Sequence, residues 1–279
     1  MGALRAMRRL RSLGIYVLLI LVSVVYLFPV VWMVSTSLKT DPQIVRIPPN
    51  LIPSPVRWAN YGDALRTINF LRAAKNTLYI TGMNIIGNIL SSSIVAYSFA
   101  RLRWKGRELL FGIMLSTLML PFAVTMVPQY LIFRNLGWVN TFKPLWVPAF
   151  FGSPFYIFLL RQFMLTLPNS YDDAARIDGC SSFGIYWRII MPLIKPALTV
   201  VAMFTFTTHW NDFLGPLIYL SREELYTFAL ALQKFQSDYV VNWAQLMAAS
   251  SVMTLPIIAL FFAGQRYFIQ GVVMSGIKG

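Results

Sequence analysis

The chain has one cysteine and one histidine among its 279 residues, and only 10 acidic residues against 24 Lys and Arg. That scarcity excludes a disulfide framework and any metal site built from several Cys or His ligands. Nowhere does a glycine-rich run lead into Lys-Ser or Lys-Thr, so no phosphate-binding loop is present. The sequence shows no internal repeat, low-complexity tract or second domain, and no cleavable signal peptide is expected. Met1–Arg11 is basic, but the apolar run behind it is about twice the length of a signal core and has no small-residue cleavage site.

What fills the chain is hydrophobic. It is 57% apolar and 12% charged, a membrane composition. A hydrocarbon core about 30 Å thick needs roughly 20 apolar residues per helix. Six stretches of that order occur: Gly14–Leu38, Asn76–Ala100, Leu109–Phe133, Pro144–Leu160, Pro196–Leu220 and Trp243–Phe268. The expected fold is therefore all-α and transmembrane, with six helices.

The net charge of +14 does not point to nucleic acid, because the basic residues sit in short loops between apolar blocks and form no basic face. The N-terminus, second loop (101–108), fourth loop with its flanks (161–195) and tail, with Arg266 at the end of the last stretch counted to the tail, carry 14 Lys and Arg, and the two shorter loops on the other side carry 4. By the positive-inside rule both termini are expected in the cytoplasm. Residues 1–75 then hold the N-terminal tail, the first helix (14–38) and an external segment with prolines at 42, 48, 49, 53 and 55 and a short helix near Trp58–Phe70. Residues 76–268 hold a five-helix core, and 269–279 form a glycine-rich tail.

Three features of the core carry polar chemistry. In the second helix Thr77, Thr81, Asn84, Asn88 and Ser91 recur at i, i+4, i+7, i+11 and i+14, so they share one stripe. Lipid penalises such a stripe. It faces either a polar translocation path or another helix that it bonds. The fourth segment is broken by Pro148, Gly152 and Pro154, which marks either backbone lining a pathway or a tolerated kink. The fifth holds the one intramembrane carboxylate, in His209-Trp-Asn-Asp212; Asp212 is read as a substrate contact, an ion pair in the bundle or a group near the outer interface.

The fourth loop, 169–192, reads NSYDDAARIDGCSSFGIYWRIIMP. Ser170 with Asp173 three residues on suits a capping box, and Gly179 falls where a helix end needs a left-handed residue. Ser181 or Ser182 starts a second helix with Phe183, Tyr186, Trp187 and Ile190 on one apolar face, and Pro192 closes it. Such a pair fits insertion into a partner; the bland reading is a helix pair lying on the membrane surface.

Asp173-Ala-Ala-Arg-Ile-Asp178-Gly179, followed by Tyr186 and Ile189-Ile-Met-Pro192, resembles the Glu-Ala-Ala…Gly loop of the membrane subunits of binding-protein-dependent ABC importers. Ser37-Leu-Lys, Trp210-Asn-Asp-Phe with Pro216-Leu, and the ending Gly271…Gly276-Ile-Lys-Gly are similar to the six-helix permease of maltose-type sugar importers, over essentially the full chain. Asp173 stands in place of the family's Glu, and Cys180 in place of Ala. The resemblance implies a type I importer permease in a prokaryotic inner membrane that catalyses no reaction itself. Its implied partners are a second permease, ATPase subunits that bind ATP and Mg, an extracytoplasmic sugar-binding protein and the surrounding lipid, with no nucleic acid. It implies Asp173, Ala174, Ala175, Asp178, Gly179, Tyr186 and Pro192 as the docking element for the ATPase, a role near that interface for Gly276–Gly279, and a binding-protein contact for the external loop 221–242. The candidate path residues are Thr81, Asn84, Asn88, Ser91 and Asp212. A phosphorylated polyol or other small solute is the alternative cargo, and a stand-alone secondary transporter the competing class.

Overall fold

From Ser12 to Ser37 nothing in the sequence interrupts helix formation except Pro29, which a membrane helix tolerates. In the computed structural model, which describes residues 2–236 and 241–276, this run is the greater part of α1 (Gly2–Ser37). The described residues fall into two units, 1–69 with 232–255, and 70–231 with 256–279.

In the first unit, the 26 residues Ser12–Ser37 span about 39 Å at 1.5 Å per residue, enough to cross a bilayer. Side chains from Ser12 to Val31 are exposed, as an uncharged surface for lipid or another membrane chain requires. Helix formation starts 12 residues before the expected Gly14, because the Leu, Arg, Met and Ala of the N-terminal segment are good helix formers. The exit folds back on itself through α2 (Asp41–Ile44) and α3 (Ala59–Thr67). Asn60 Nδ2 donates to Ser37 O at 2.9 Å and Lys39 O at 2.8 Å. Ser37 Oγ shares a hydrogen bond with Tyr61 Oη at 2.8 Å, and Ser35 Oγ donates to Leu51 O. The proline-rich segment is thus held to the helix end by named bonds.

The second unit is built on α4 (Phe70–Arg101), 32 residues long, which starts six residues before the expected Asn76. Where the sequence suggests a continuous third crossing, Leu109–Phe133, the chain forms α5 (Arg107–Ser116), a 3₁₀ turn (Thr117–Met119) and α6 (Phe122–Asn135), at 98° across the break. Pro121 causes it: it lacks an amide hydrogen and pushes the preceding Leu120 to ψ 116°. The fourth segment forms α7 (Lys143–Trp146), a 3₁₀ turn (Val147–Phe151), a left-handed Gly152 at φ 90°, and α8 (Pro154–Leu165).

Residues 169–192 give α9 (Ser170–Ile177), α10 (Ser182–Ile185), a π-helical turn (Tyr186–Ile190) and α11 (Met191–Leu193). The fifth crossing is α12 (Lys195–Trp210) and, after a break at Asn211–Phe213, α13 (Leu214–Tyr219). The segment expected as a plain external loop, 221–242, contains a 3₁₀ turn (Glu223–Leu225) and the buried α14 (Phe228–Ala231). The last helix, α15 (Trp243–Gly276), runs eight residues beyond the expected Phe268, so helix replaces most of the expected tail. Residues 237–240 and 277–279 lie outside the described residues, and with them most of the Gly276–Gly279 expectation.

Three single helices and three bent helix pairs are long and apolar enough to cross a membrane, up to six crossings among the described residues. The core of the second unit gathers Tyr97, Phe99, Phe111, Leu160, Met164, Ile185, Tyr186, Ile190 and Val201. The apolar face of α4 and both ends of the 169–192 loop therefore share one packed cluster.

The expected orientation is testable at residues that the structure leaves exposed. In a Cys180→Ala background, Glu224→Cys should react with an impermeant thiol reagent from outside and Ser170→Cys only from inside. The reverse pattern would invert the orientation. Leu230, at the middle of the same loop, is 1% exposed and cannot report it.

Candidate functional site

The entry of the 169–192 loop is fixed by one guanidinium. Arg101, the last residue of α4, donates from Nη1 to Asn169 Oδ1 at 2.6 Å and from Nη2 to Leu167 O at 3.0 Å. Its Nη1 also lies 3.4 Å from Asp172 Oδ2, and both side chains are at most 5% exposed. The expected capping box of Ser170 and Asp173 does not form. The N-cap is Asn169, which makes no side-chain cap bond; its carbonyl oxygen accepts from Arg101, a charge-assisted bond that outcompetes capping.

Adjacent acids on α9 have opposite surroundings, because successive helical residues point about 100° apart. Asp172 faces Arg101 in the interior, while Asp173 is exposed beside Arg176 at 3.5 Å. Ala175 is buried and Ala174 exposed. The end of α9 is a Schellman motif: Gly179, at φ 79°, donates to Arg176 O at 3.0 Å and Cys180 N to Ala175 O at 2.9 Å. No atom lies within 4 Å of a Cβ built at Gly179, so its backbone angle and not space requires glycine.

Ser181 caps α10 by accepting from Gly184 N at 3.2 Å. The face expected of Phe183, Tyr186, Trp187 and Ile190 divides. Tyr186 and Ile190 are buried, with Ile185 beside them, while Phe183 is 64% and Trp187 53% exposed. The π turn over Tyr186–Ile190 shifts the angular register, so the 3.6-residue spacing does not hold there. Pro192 does not close the helix. It follows the π turn, which accommodates a ring that would meet the carbonyl four residues back, and helix continues to Leu193. Tyr186 packs against Tyr97 with ring centroids 5.4 Å apart and planes tilted by 50°, and it shares a hydrogen bond with Ser93 Oγ at 2.8 Å. Of the seven expected docking residues, Asp173, Ala174, Asp178, Gly179 and Pro192 reach the surface, and Ala175 and Tyr186 face the protein's own interior. Ile177, 87% exposed, joins the outer face.

Thr77, Thr81, Asn84 and Asn88 of the α4 stripe are buried and Ser91 is half-buried, and most of the stripe is bonded. Thr77 Oγ1 accepts from Phe228 N at 2.8 Å, Asn84 Nδ2 donates to Leu145 O at 2.8 Å, and Ser91 Oγ donates to Ala149 O at 2.8 Å. Ser92, outside the stripe, accepts from Ser153 N at 3.2 Å. These side chains hold the broken segments 143–154 and 228–231 against α4. Close approach is possible because residue 87 is glycine; a Cβ there would lie 2.8 Å from the Phe150 ring.

An open cavity of about 660 Å³ lies beside this contact, lined by Asn84, Asn88, Gln129, Tyr156, His209 and Asp212 together with apolar residues. Asn84, Asn88 and Asp212 are thus brought together. Thr81, buried without a partner, and Ser91, turned to the Ala149 carbonyl, do not line the cavity. Asp212 Oδ1 accepts from Gly215 N at 3.0 Å, so the carboxylate caps the first turn of α13 at the break. Gln129 and Tyr156 were not singled out by the sequence, and His209 only as a neighbour of Asp212; no periodicity joins residues from three different segments. Arg101 did carry a signal, because Ser93, Tyr97 and Arg101 recur at i, i+4 and i+8.

Residues 88–274 match the family of binding-protein-dependent transport system inner membrane components. The chain belongs to that family. This permease is 32% identical over 266 residues to the arabinooligosaccharides transport system permease protein AraQ of Bacillus subtilis, covering 93% of each chain. It is 30% identical to the lactose transport system permease protein LacG of Rhizobium radiobacter, covering 96% of this chain and 97% of the relative. Identity is also 30% to the trehalose/maltose transport system permease protein MalG of Thermococcus litoralis, over 93% and 94%. A bacterial ABC transporter involved in the import of the acidic polysaccharide alginate has the same fold, with TM-score 0.82 and 24% identity over 93% of this chain and 97% of that one. The permease is therefore an inner-membrane transport component with the type I importer fold.

Within the permease, the two stripe asparagines should separate. Asn84→Leu leaves the Leu145 carbonyl unpaired and should destabilise the detergent-solubilised protein by about 1–2 kcal/mol, read as a lower thermal unfolding midpoint. Asn88→Leu should leave that midpoint within error of the parent protein, since the structure gives its side chain no hydrogen bond to lose.

Proposed function

We propose that this permease forms, with a second permease chain, the membrane path of an ATP-driven importer that moves a sugar or oligosaccharide inward. In this reading ATP and Mg are bound and hydrolysed on separate ATPase subunits, an extracytoplasmic binding protein delivers the cargo, and both termini of the permease are cytoplasmic. The 169–192 loop docks in the ATPase.

One observation carries the docking reading: the loop is anchored from inside by buried Arg101 and Tyr186, and it presents Asp173, Ile177, Asp178, Phe183 and Trp187 outward. Large exposed apolar side chains rimmed by charge are what a protein interface uses. A helix pair lying on a membrane would keep its charges off one face, whereas here Asp173 and Asp178 accompany the apolar residues. The glycine turn fixes the angle between the two helices that such docking needs.

The cargo reading is supported by the cavity and by the relatives. Amide and carboxylate groups of Asn84, Asn88, Gln129 and Asp212 among aromatic rings suit hydrogen bonding and stacking with a polyhydroxylated solute. No Lys or Arg is among the described residues that line the cavity, which disfavours a phosphorylated polyol. Relatives named for arabinooligosaccharides, lactose and trehalose/maltose fit the same class.

Gly179→Val places a β-branched residue at φ 79°, at a cost of about 1–3 kcal/mol of local strain. The variant should reach the membrane at the parental level yet retain little ATPase on co-purification, and cargo-stimulated ATP hydrolysis should fall by about tenfold or more. Parental transport by that variant would refute the docking reading. Thermal-shift screening of the cognate binding protein against neutral oligosaccharides and sugar phosphates should give stabilisation by the former; a response to sugar phosphates alone would change the cargo.

A further inference from the structure

We propose that Arg101 and Asp172, together with Tyr186 on Ser93 and Tyr97, are positioning residues that make the 169–192 loop and α4 move as one body, so that displacement imposed on the loop reaches Asn84 and Asn88. The proposal rests on the docking reading above and adds the route by which docking acts on the cavity.

Beyond the apolar cluster that they share, polar contacts join the loop to α4 at two places, Ser93 and Arg101. At 1.5 Å per residue these lie about 12 Å apart along the helix. One attachment would fix a distance and leave the loop free to pivot; two separated attachments fix direction as well. The first is a tyrosine hydroxyl on a serine at 2.8 Å with its ring against Tyr97. The second is a guanidinium that holds Leu167 O, Asn169 Oδ1 and the Asp172 carboxylate at once. The rigid fork of Arg, unlike the point charge of Lys, sets the orientation of what it grips.

Stability alone does not call for this arrangement. Seven buried side-chain polar atoms among the described residues have no hydrogen-bond partner, and four of them are Tyr97 Oη, Arg101 Nε and the two oxygens of Asp172. The Arg101–Asp172 contact, at 3.4 Å, is an ion pair and not an aligned hydrogen bond. A buried pair satisfied this poorly is often no better than apolar residues of the same volume. What apolar packing does not supply is direction: in a low-dielectric interior, drawing the two charges apart meets a steep resistance. The other loop charges, Asp173, Arg176, Asp178 and Arg188, are exposed and cannot provide it. Because α4 runs without a break from Phe70 to Arg101, movement at its Arg101 end is passed along the whole helix.

The test uses the assembled importer with its ATPase, in a background of Cys180→Ala with Asn88→Cys as a reporter in the cavity. Its reaction with an impermeant maleimide is timed with and without a non-hydrolysable ATP analogue. The background should change rate by about fivefold or more on adding nucleotide; no change there would sink the docking reading and this proposal together. Asp172→Asn and Arg101→Gln should keep the ATPase bound yet lose most of that response. The paired reversal of Arg101→Asp with Asp172→Arg should recover part of it. A full response in the single variants would overturn the positioning role and leave docking intact. Where those variants fail to accumulate, Tyr186→Phe decides: it removes only the hydroxyl on Ser93, and a diminished nucleotide response supports the proposal while a parental one refutes it.

Discussion

Lipid offers no hydrogen bonds, so every break in a membrane helix must have its freed backbone groups paired from within the protein. The second unit of this permease contains three such breaks, at Pro121, at 147–153 and at 211–213, and α4 serves the middle one directly. Its asparagine and serine side chains take up carbonyl and amide groups of the broken 143–154 segment, and its Thr77 takes the Phe228 amide. The cavity exists because this pairing holds irregular backbone open beside an unbroken helix.

The same helix organises the other end. Two polar lines run along α4, one from Thr77 to Ser91 and one from Ser93 through Tyr97 to Arg101. The first bonds the segments around the cavity and the second bonds the 169–192 loop. Cavity and loop are therefore attached to one continuous helix, α4.

Much of this was legible in the sequence. The six apolar stretches, the helix–glycine–helix of the loop and the stripe all follow from composition and periodicity, and they correspond to elements seen in the structure. The extent of the breaks was not legible. Pro121 lies in a long apolar run that reads as one crossing, yet the backbone there turns by nearly a right angle. The split of Phe183, Tyr186, Trp187 and Ile190 was hidden because a π turn alters the very periodicity used to group them. Asp172 and Asp173 are chemically alike and adjacent, and only the position of Arg101, some 70 residues earlier in the sequence, distinguishes them. Residues assembled from several segments, such as Gln129 and Tyr156, leave no local pattern at all.

That division between neighbouring acids has a consequence for modularity. Asp172 answers to its own chain, and Asp173 is free to answer to whatever binds the loop. Under the docking and linkage proposed above, recognition of an ATPase subunit and transmission of its movement would fall to separate residues one position apart. Under that proposal, a substitution at the outward Asp173 would alter what binds the loop while leaving the buried Arg101–Asp172 contact in place.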